Sequence, residues 1–566
     1  MCGIAGFIDT QLSADAKRDL THRMLCQITH RGPEASNVFI DGPVALGHNR
    51  LKIIDLSDAA NQPFEYENVI IIFNGEIYNY IEVRAELEKH GYKFRTHGDT
   101  EVICAAYKHY GDSCVKHFMG MWALAIWDKT KQRLFMSRDR FGIKPLYYYY
   151  EGGSFVFGSE IKAIKANKDV TTTLDFTSFA DYFVYRYVPS PKSIWQEVKK
   201  LPAAHYMLLK ANGELTIKRY WDIPFDEKII PDKEAVEKFD ELLFNSIKIH
   251  ARADVPVGSF LSGGYDSSAL VYYMSRFGYT PNTFAIGFEN WEVSEHLFAE
   301  MVAKQYGTNH HALILESQSL DLLDHLVWVY DEPNGDISII PTYLVSQEAA
   351  KKVKTVMSGE GSDEMLVGYH WQKEYAPEKL GLIERLKRLV QGGSATPHIH
   401  SYYAMAMAMG RFDGAELRKL LHPDLHQHIN HNVDWYYQSH FRNEIPELKA
   451  IQIMDAKHYM GEQVLCKVDR AAMANSLEVR VPFLDHEIVE FVFSLSPDVY
   501  YRKDETKHLL YQNIKNHLPK EILDRRKQGF VGPDKYYMNM AWYERRLADS
   551  KLVADKIRNG EYVQQL

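Results

Sequence analysis

The chain has 566 residues, too many for a single hydrophobic core, so at least two domains are expected. Hydrophobic residues make up 46% and charged ones 25%, and 66 basic against 75 acidic residues leave a net charge of −9. That balance fits a soluble globular protein and argues against a general nucleic-acid or membrane-surface binder, while leaving room for a local basic pocket.

The cysteines, at positions 2, 26, 104, 114 and 466, are odd in number and show no C-x-x-C spacing. A disulfide framework or zinc site is not expected, and a reducing cytoplasm is. No apolar run approaches membrane-spanning length; MWALAIW (121–127) is among the longest. The start lacks the basic and apolar regions of a signal peptide, since Asp9 soon interrupts it.

The first residues read MCGIAGF. If Met1 is removed, which the small second residue favours, the Cys2 thiol sits beside its own α-amine. A free α-amine titrates at about 7.7–8.0 and accepts a proton near neutrality. One residue then supplies nucleophile and base. Cys2 alone reads more readily as a small residue opening a buried strand. Beyond it, VIIIF (69–73), ALAIW (123–127), RLFMSRD (133–139) and PLYYYY (145–150) read as short strands bounded by Gly, Asn and Asp. Helical spacing appears between them, as in IEVRAELEKHGY (81–92), with Gly91 placed to end the helix. An α+β domain rich in antiparallel sheet is expected. It should end in the Pro- and charge-rich stretch 219–235, giving domains 1–223 and 224–566.

The texture then changes. AVEKFDELLFNSIKIHA (235–251) reads as an amphipathic helix. VPVGSFL, TFAIGF and KTVM read as strands that end in glycine turns and lead into helices. That repetition predicts an α/β domain with a parallel sheet. The segment 371–475 reads as mostly helical. The loop SGGYDSS (262–268) lies between a strand and a helix, where backbone N–H groups and a helix N-terminus can receive an anion. Gly263 and Gly264 permit close approach, and Ser262, Ser267 and Ser268 add hydroxyls. The G-x-x-x-x-G-K-[ST] pattern of a Walker A loop is absent.

These motifs carry a resemblance. MCGIAGF, HRGPE (30–34), GHNRLKIIDLS (47–57), NQPF (61–64), FNGEIYNY (73–80), GDTE (98–101) and RDRFGIKPLYY (138–148) resemble, in order, the class II glutamine amidotransferase domain. The resemblance implies an N-terminal-nucleophile hydrolase sandwich with Cys2 as the nucleophile. It implies Asn74 and the Gly75 N–H as the oxyanion hole, and Arg50, Glu76 and Asp99 as the clamp on the α-carboxylate and α-ammonium of glutamine. Glu34, Asn49 and Lys52 depart from the family's commoner Asp, Arg and Ser. That puts details of the pocket rim in question and leaves the nucleophile and oxyanion donors intact.

SGGYDSS resembles the PP-loop of ATP pyrophosphatases, which implies adenylation rather than phosphoryl transfer. SGEGSDE (358–364), KVDRAAMANSLEVRVPFLD (467–485) and RRKQGF (525–530) extend the resemblance along the chain to the glutamine-hydrolysing asparagine synthetase family. It implies ATP contacts at Leu261, Ser262, Gly263, Gly264, Asp266, Ser267, Ser268, Ile286, Ser358 and Gly359, and Mg2+ held by Asp266 and Asp363. Glu360 stands where the family has an acidic residue near the acyl-adenylate. Lys507 matches a lysine that stabilises charge during adenylation. Charges in 467–485 either serve the site or hold the domain together.

The expected reaction is amidation of aspartate by glutamine-derived ammonia through β-aspartyl-AMP. Aspartate is open to replacement by another carboxylate such as a sugar uronate, because DEPNGDISIIPTYLVS (331–346), in the region expected to form the acceptor pocket, differs from well-studied asparagine synthetases. A non-catalytic or glutaminase-only regulator is the reading from another class, opposed by the intact Cys2, Asn74, Asp266 and Asp363. The sequence leaves the oligomeric state open, a homodimer included.

Overall fold

The structure is a computed structural model, and it describes residues 2–210, 212–228, 230–289, 291, 294–315, 320, 322–373, 399–407, 412–442, 444–503, 505–525 and 540–548. The first domain holds twelve strands: β1 (Gly3–Ile8), β2 (Ala35–Asp41), β3 (Val44–Arg50), β4 (Phe64–Tyr66), β5 (Val69–Ile77), β6 (Gly120–Asp128), β7 (Arg133–Arg138), β8 (Tyr147–Glu151), β9 (Ser154–Gly158), β10 (Val198–Lys200), β11 (His205–Lys210) and β12 (Leu215–Arg219). They form two six-stranded sheets, ordered β10-β8-β9-β1-β3-β2 and β12-β11-β7-β6-β5-β4, with every pairing antiparallel.

β5 explains the layering. Ile70 and Ile72 face the other sheet, packing with Ile4, Leu46 and Phe157, while Val69, Ile71 and Phe73 face Val102, Ile103 and Tyr107 of the helix Asp99–Tyr110. Both faces are buried, so VIIIF shows no polar alternation. The helix Ala14–Cys26, capped by the Ser13 side chain, covers the outer face of the first sheet through Leu20 and Met24. The domain is thus helix, sheet, sheet, helix.

The second domain holds a parallel sheet of β13 (Val257–Phe260), β14 (Asn282–Phe288), β15 (Asn309–Leu315), β16 (Thr355–Met357) and β17 (Glu478–Arg480), ordered β15-β14-β13-β16-β17. The chain proceeds outward from β13 through β14 to β15, then returns to β13's other side as β16. The crevice at the C-terminal ends of β13 and β16 is therefore a topological switch point, where α/β sheets bind ligands. The described parts of 371–475 are largely helical, including a ten-residue π-helix, Asp455–Val464, that no local sequence pattern announced. The segment 374–398 and most of RRKQGF lie outside the described residues. No helix among the described residues is long and apolar enough to cross a membrane.

The domains share buried contacts of two kinds. Tyr78, Met121, Phe141 and Ile143 of the first join Ala456 and Met460 of the second in one apolar cluster. Beside this, Arg31 pairs with Glu160 and Asp469, each at 2.9 Å, Arg470 with Glu160 at 3.0 Å, and Lys144 with Asp469 at 3.4 Å. All five side chains are buried, where an unpaired charge would cost several kcal/mol. Asp469 and Arg470 of KVDRAA thus hold one domain to the other, while Lys467 pairs with Asp336 inside its own domain.

Candidate active site

The structure brings the candidates together in two places. In the first domain, β1 runs beside β3, and Cys2 immediately precedes it. The Cys2 backbone N–H donates to Asn74 Oδ1 across 3.0 Å, linking the chain start to β5 in the facing sheet. That bond turns the amide of Asn74 so that Nδ2, fully buried, makes no hydrogen bond among the described residues. An orphan donor beside a buried thiol suits an oxyanion, and such donors contribute a few kcal/mol each. Gly75 follows because no larger residue fits: a Cβ there would lie 2.1 Å from the Met121 carbonyl oxygen and 2.7 Å from the Trp122 Cα. Burial pushes the Cys2 thiol up, with the positive chain terminus and Arg50 pulling it back.

Arg50, at the end of β3, shapes the following loop. It donates to the Ser57 carbonyl and Asn61 Oδ1, both at 2.8 Å, and to the Asp55 carbonyl. Glu76 and Asp99 are buried acids, and the charge of Asp99 disfavours that of Glu76. Burial, then the charges of Glu478 and Asp99, hold Glu76 well above the usual carboxylate range. Burial raises Asp99 to about 6, although its carboxylate accepts the Ile77 N–H at 3.0 Å. Glu76 Oε2 makes no hydrogen bond among the described residues. Such a pair favours an incoming ammonium, which would relieve both. His48 stays neutral, with burial lowering it to about 3, and donates through Nε2 to the Phe73 carbonyl. The departures at the rim are structural. Glu34 accepts the Lys52 N–H at 2.6 Å and pairs across the domains with Lys354 at 2.5 Å, and Asn49 donates to the Leu25 carbonyl at 2.8 Å.

The second place is the switch point. The pairing of β13 with β16 sets Ser259 beside Met357 and so places the loop after Leu261 against the turn after Ser358. Gly263 adopts φ +71°, and a Cβ there would meet Phe298 Cβ at 2.5 Å, so only glycine serves. Gly359 is packed likewise: its Cβ would lie 2.8 Å from Asp266 Cβ. Ser262 and Ser267 share a hydroxyl bond of 3.0 Å, the Gly264 N–H donates to Ser262 Oγ at 3.3 Å, and the buried Ser268 hydroxyl has no partner among the described residues. The N–H groups of Leu261 and Ser358 are already committed, to the Phe284 and Arg480 carbonyls at 2.8 Å each, so these two residues have only other atoms to offer a nucleotide. Ile286 is buried within β14.

Lys507, at φ +57°, reaches both turns. Its ammonium lies 2.5 and 2.6 Å from the two Asp266 oxygens, 2.7 Å from Asp363 Oδ1 and 3.2 Å from Ser362 Oγ. Burial opposes its charge, but the two carboxylates outweigh that and raise it. Ser362 also donates to Asp266 Oδ1 at 2.7 Å. Glu360 Oε2 is buried and makes no hydrogen bond among the described residues. Two carboxylates arranged around a positive charge fit Mg2+, which takes one or two protein carboxylates and completes its octahedron with phosphate oxygens and water. No group of three or more His, Cys, Asp or Glu side chains converges among the described residues, so a protein-only metal cage is not built here.

Comparison with known proteins decides the family. A model described as glutamine amidotransferase domain matches residues 1–221, and one described as asparagine synthase matches residues 238–566, more than half the chain. The chain belongs to the asparagine synthase family. It is 33% identical to asparagine synthetase [glutamine-hydrolyzing] 1 of Bacillus subtilis over all of this chain and 92% of that one. It is 39% identical to putative asparagine synthetase [glutamine-hydrolyzing] 2 of Methanocaldococcus jannaschii over 65% of this chain and 76% of that one. It is 27% identical to amidase chry2 of Gibberella zeae over 95% and 90%. The chain is therefore a carbon–nitrogen ligase of the glutamine-dependent, ATP-using asparagine synthetase type, with an N-terminal-nucleophile amidotransferase domain followed by a parallel-sheet synthetase domain.

The sequence reading missed Tyr78, Glu478 and Arg480, which lie behind Glu76. The detectable signal was a Glu and an Arg inside the apolar run LEVRVPFL, where buried charge demands a partner.

Proposed function

We propose that the protein converts aspartate to asparagine, using ammonia cut from glutamine and activating the acceptor as β-aspartyl-AMP. Cys2 Sγ attacks the glutamine side-chain amide. Its α-amine, freed by loss of Met1 and oriented by Asn74 Oδ1, takes the thiol proton and passes it to the departing ammonia. Asn74 Nδ2 and the Gly75 N–H receive the oxyanion. Arg50 holds the α-carboxylate of glutamine and Glu76 with Asp99 its α-ammonium. Water then hydrolyses the thioester to glutamate.

In the second domain the PP-loop and the helix Tyr265–Arg276 receive the phosphates of ATP, while the adenosine lies against Ile286 and the Ser358–Gly359 turn. Asp266 and Asp363 would hold Mg2+, which would supply positive charge against the phosphates. The acceptor carboxylate attacks the α-phosphorus, pyrophosphate leaves, and Lys507 offsets the charge that builds up. Ammonia then attacks the acyl carbon, Glu360 takes a proton from it, and AMP departs. Ammonia exposed to neutral water would become ammonium. The apolar cluster of Met121, Phe141, Ile143 and Met460 supports a dry route between the domains. The unpaired thiols suit a reducing cytoplasm.

The observation that carries this reading is the assembly of Asp266, Asp363 and Lys507 at the switch point, behind a glutaminase site whose Asn74 donor is unspent. AMP formation from Mg-ATP and glutamine, with and without aspartate, tests it. AMP and asparagine together, only with aspartate, are expected; aspartate-independent glutamate release without AMP would reject aspartate as acceptor. The second reading, another carboxylate such as a uronate, is favoured by the relatives named amidases and would then be tested in the same assay.

A further inference from the structure

Arg480 lies between the two sites and belongs to neither. Its guanidinium is fully buried at the end of β17. Nε donates to Glu478 Oε1 at 2.6 Å, and Nη1 donates to the carbonyls of His250 and Arg252 at 2.5 and 2.7 Å. Nη2 makes no hydrogen bond among the described residues. It points to Glu76, whose Oε1 is 3.9 Å away, beyond hydrogen-bond length but within reach of a small shift. The Tyr78 ring lies under the guanidinium at 5.4 Å and fixes its plane. An unspent buried N–H facing an unspent buried carboxyl is an arrangement with a second, tighter state available.

The other attachments of Arg480 lead to the ATP site. Its own carbonyl accepts the Ser358 N–H at 2.8 Å, at the start of the turn that carries Gly359, Glu360 and Asp363. Its hold on His250 and Arg252 fixes the end of the helix Asp232–His250 and the segment that enters β13 and the PP-loop.

We propose that Arg480 is a positioning residue that couples glutamine binding at Glu76 to the geometry of the ATP site, so that the two substrates bind cooperatively. The inference rests on the reading of Glu76 as a holder of glutamine's α-ammonium. When that ammonium arrives, it favours the ionised form of Glu76, and Arg480 Nη2 closes on Oε1. β17 and the Ser358 N–H bond pass the shift to the turn, and the His250 and Arg252 carbonyls pass it to the PP-loop. Coupling of this kind is reciprocal and amounts to about 5- to 150-fold in affinity.

The test uses the full chain carrying Cys2→Ala, so that glutamine is bound and not consumed, with Mg2+ and α,β-methylene-ATP as the nucleotide probe. Calorimetry gives the dissociation constant of glutamine with and without saturating probe, and that of the probe with and without glutamine. The expected result is the same tightening, at least about 5-fold, in both directions. Adding Arg480→Lys, which keeps the charge but loses the forked reach to Glu76, should bring both factors to about 1, whatever the affinity of the probe alone. Tyr78→Leu, which removes the ring under the guanidinium and touches neither substrate, should also shrink the factor, and it stands in if the Arg480 variant does not fold. Independent binding in the parent chain, or an undiminished factor in the variants, overturns the proposal. Failure of glutamine to bind the parent chain at all rejects the reading of the Glu76 site itself.

Discussion

Lys507 Nζ lies 2.5 Å from Asp266 Oδ1, so the proposed adenylation lysine and a proposed magnesium ligand form one ion pair. The same ammonium touches Asp363 at 2.7 Å. Two carboxylates from different turns are thereby held together by positive charge, and losing the lysine leaves them facing each other. Lys507→Met is expected to lower acceptor-dependent AMP formation by on the order of 100-fold or more and to leave glutamine hydrolysis intact. It should also lower the melting temperature, and millimolar Mg2+ should recover part of that loss by replacing the missing charge. Thermal melts with and without Mg2+ check this; identical melts would mean that the carboxylates do not take the cation.

Cys2 and Asn74 separate the two half-reactions. Cys2→Ala should abolish glutamine-dependent synthesis, by on the order of 1,000-fold or more, and leave synthesis from ammonium salts unchanged. Asn74→Ala should lower glutaminase kcat by about 100- to 1,000-fold, the effect of losing one oxyanion donor. Intact mass adds a direct check: a retained Met1 would block the α-amine and exclude the assigned base.

As a proposed holder of glutamine's ammonium, Asp99 is expected to make binding depend on pH. Its carboxyl titrates at about 6 in the folded chain against an ordinary 3.8. Below 3.8 it is protonated whether folded or unfolded, and its contribution to stability is intact. As pH rises from 3.8 through about 6 the unfolded chain ionises first, and up to about 3 kcal/mol of stability is lost. The ammonium of glutamine needs the ionised form, so affinity should fall as pH drops below about 6. Asp99→Asn should raise the KM for glutamine at least about tenfold, remove the step near pH 6, and spare ammonia-dependent activity. A step that persists in the variant would assign it to another group.

Arg31 and Asp469 carry the domain interface. Breaking a buried pair by removing one partner costs about 3–5 kcal/mol. Arg31→Met is expected to lower the melting temperature and to raise the ratio of glutamate to AMP above one, because ammonia escapes where the domains part. Quantifying both products in a single reaction checks the ratio; a ratio held at one would show that this contact does not seal the route.

Much of this site was legible in the sequence for physical reasons. VIIIF is apolar throughout because both faces of β5 are covered, and the first glycine of SGG is required because Phe298 packs against Gly263. The motifs around Cys2, Asn74 and Asp99 pointed to residues that the fold brings together along β5. What escaped was long-range. β17 has three residues, too few for a periodic signal, and Arg480 finds Glu76 in the other domain. The π-helix 455–464 depends on packing that no local spacing encodes, and the apolar cluster draws Met121 and Ile143 from one domain and Met460 from the other. Such relationships exist only once the chain has folded.

The most direct measurement uses aspartate labelled with 18O in both carboxyl groups, incubated with Mg-ATP and glutamine, with mass analysis of the AMP. Attack by the side-chain carboxylate on the α-phosphorus leaves one of its oxygens on AMP when ammonia takes the acyl carbon. The account predicts asparagine formed together with AMP carrying a single 18O. Asparagine accompanied by unlabelled AMP, or no asparagine at all, would contradict it.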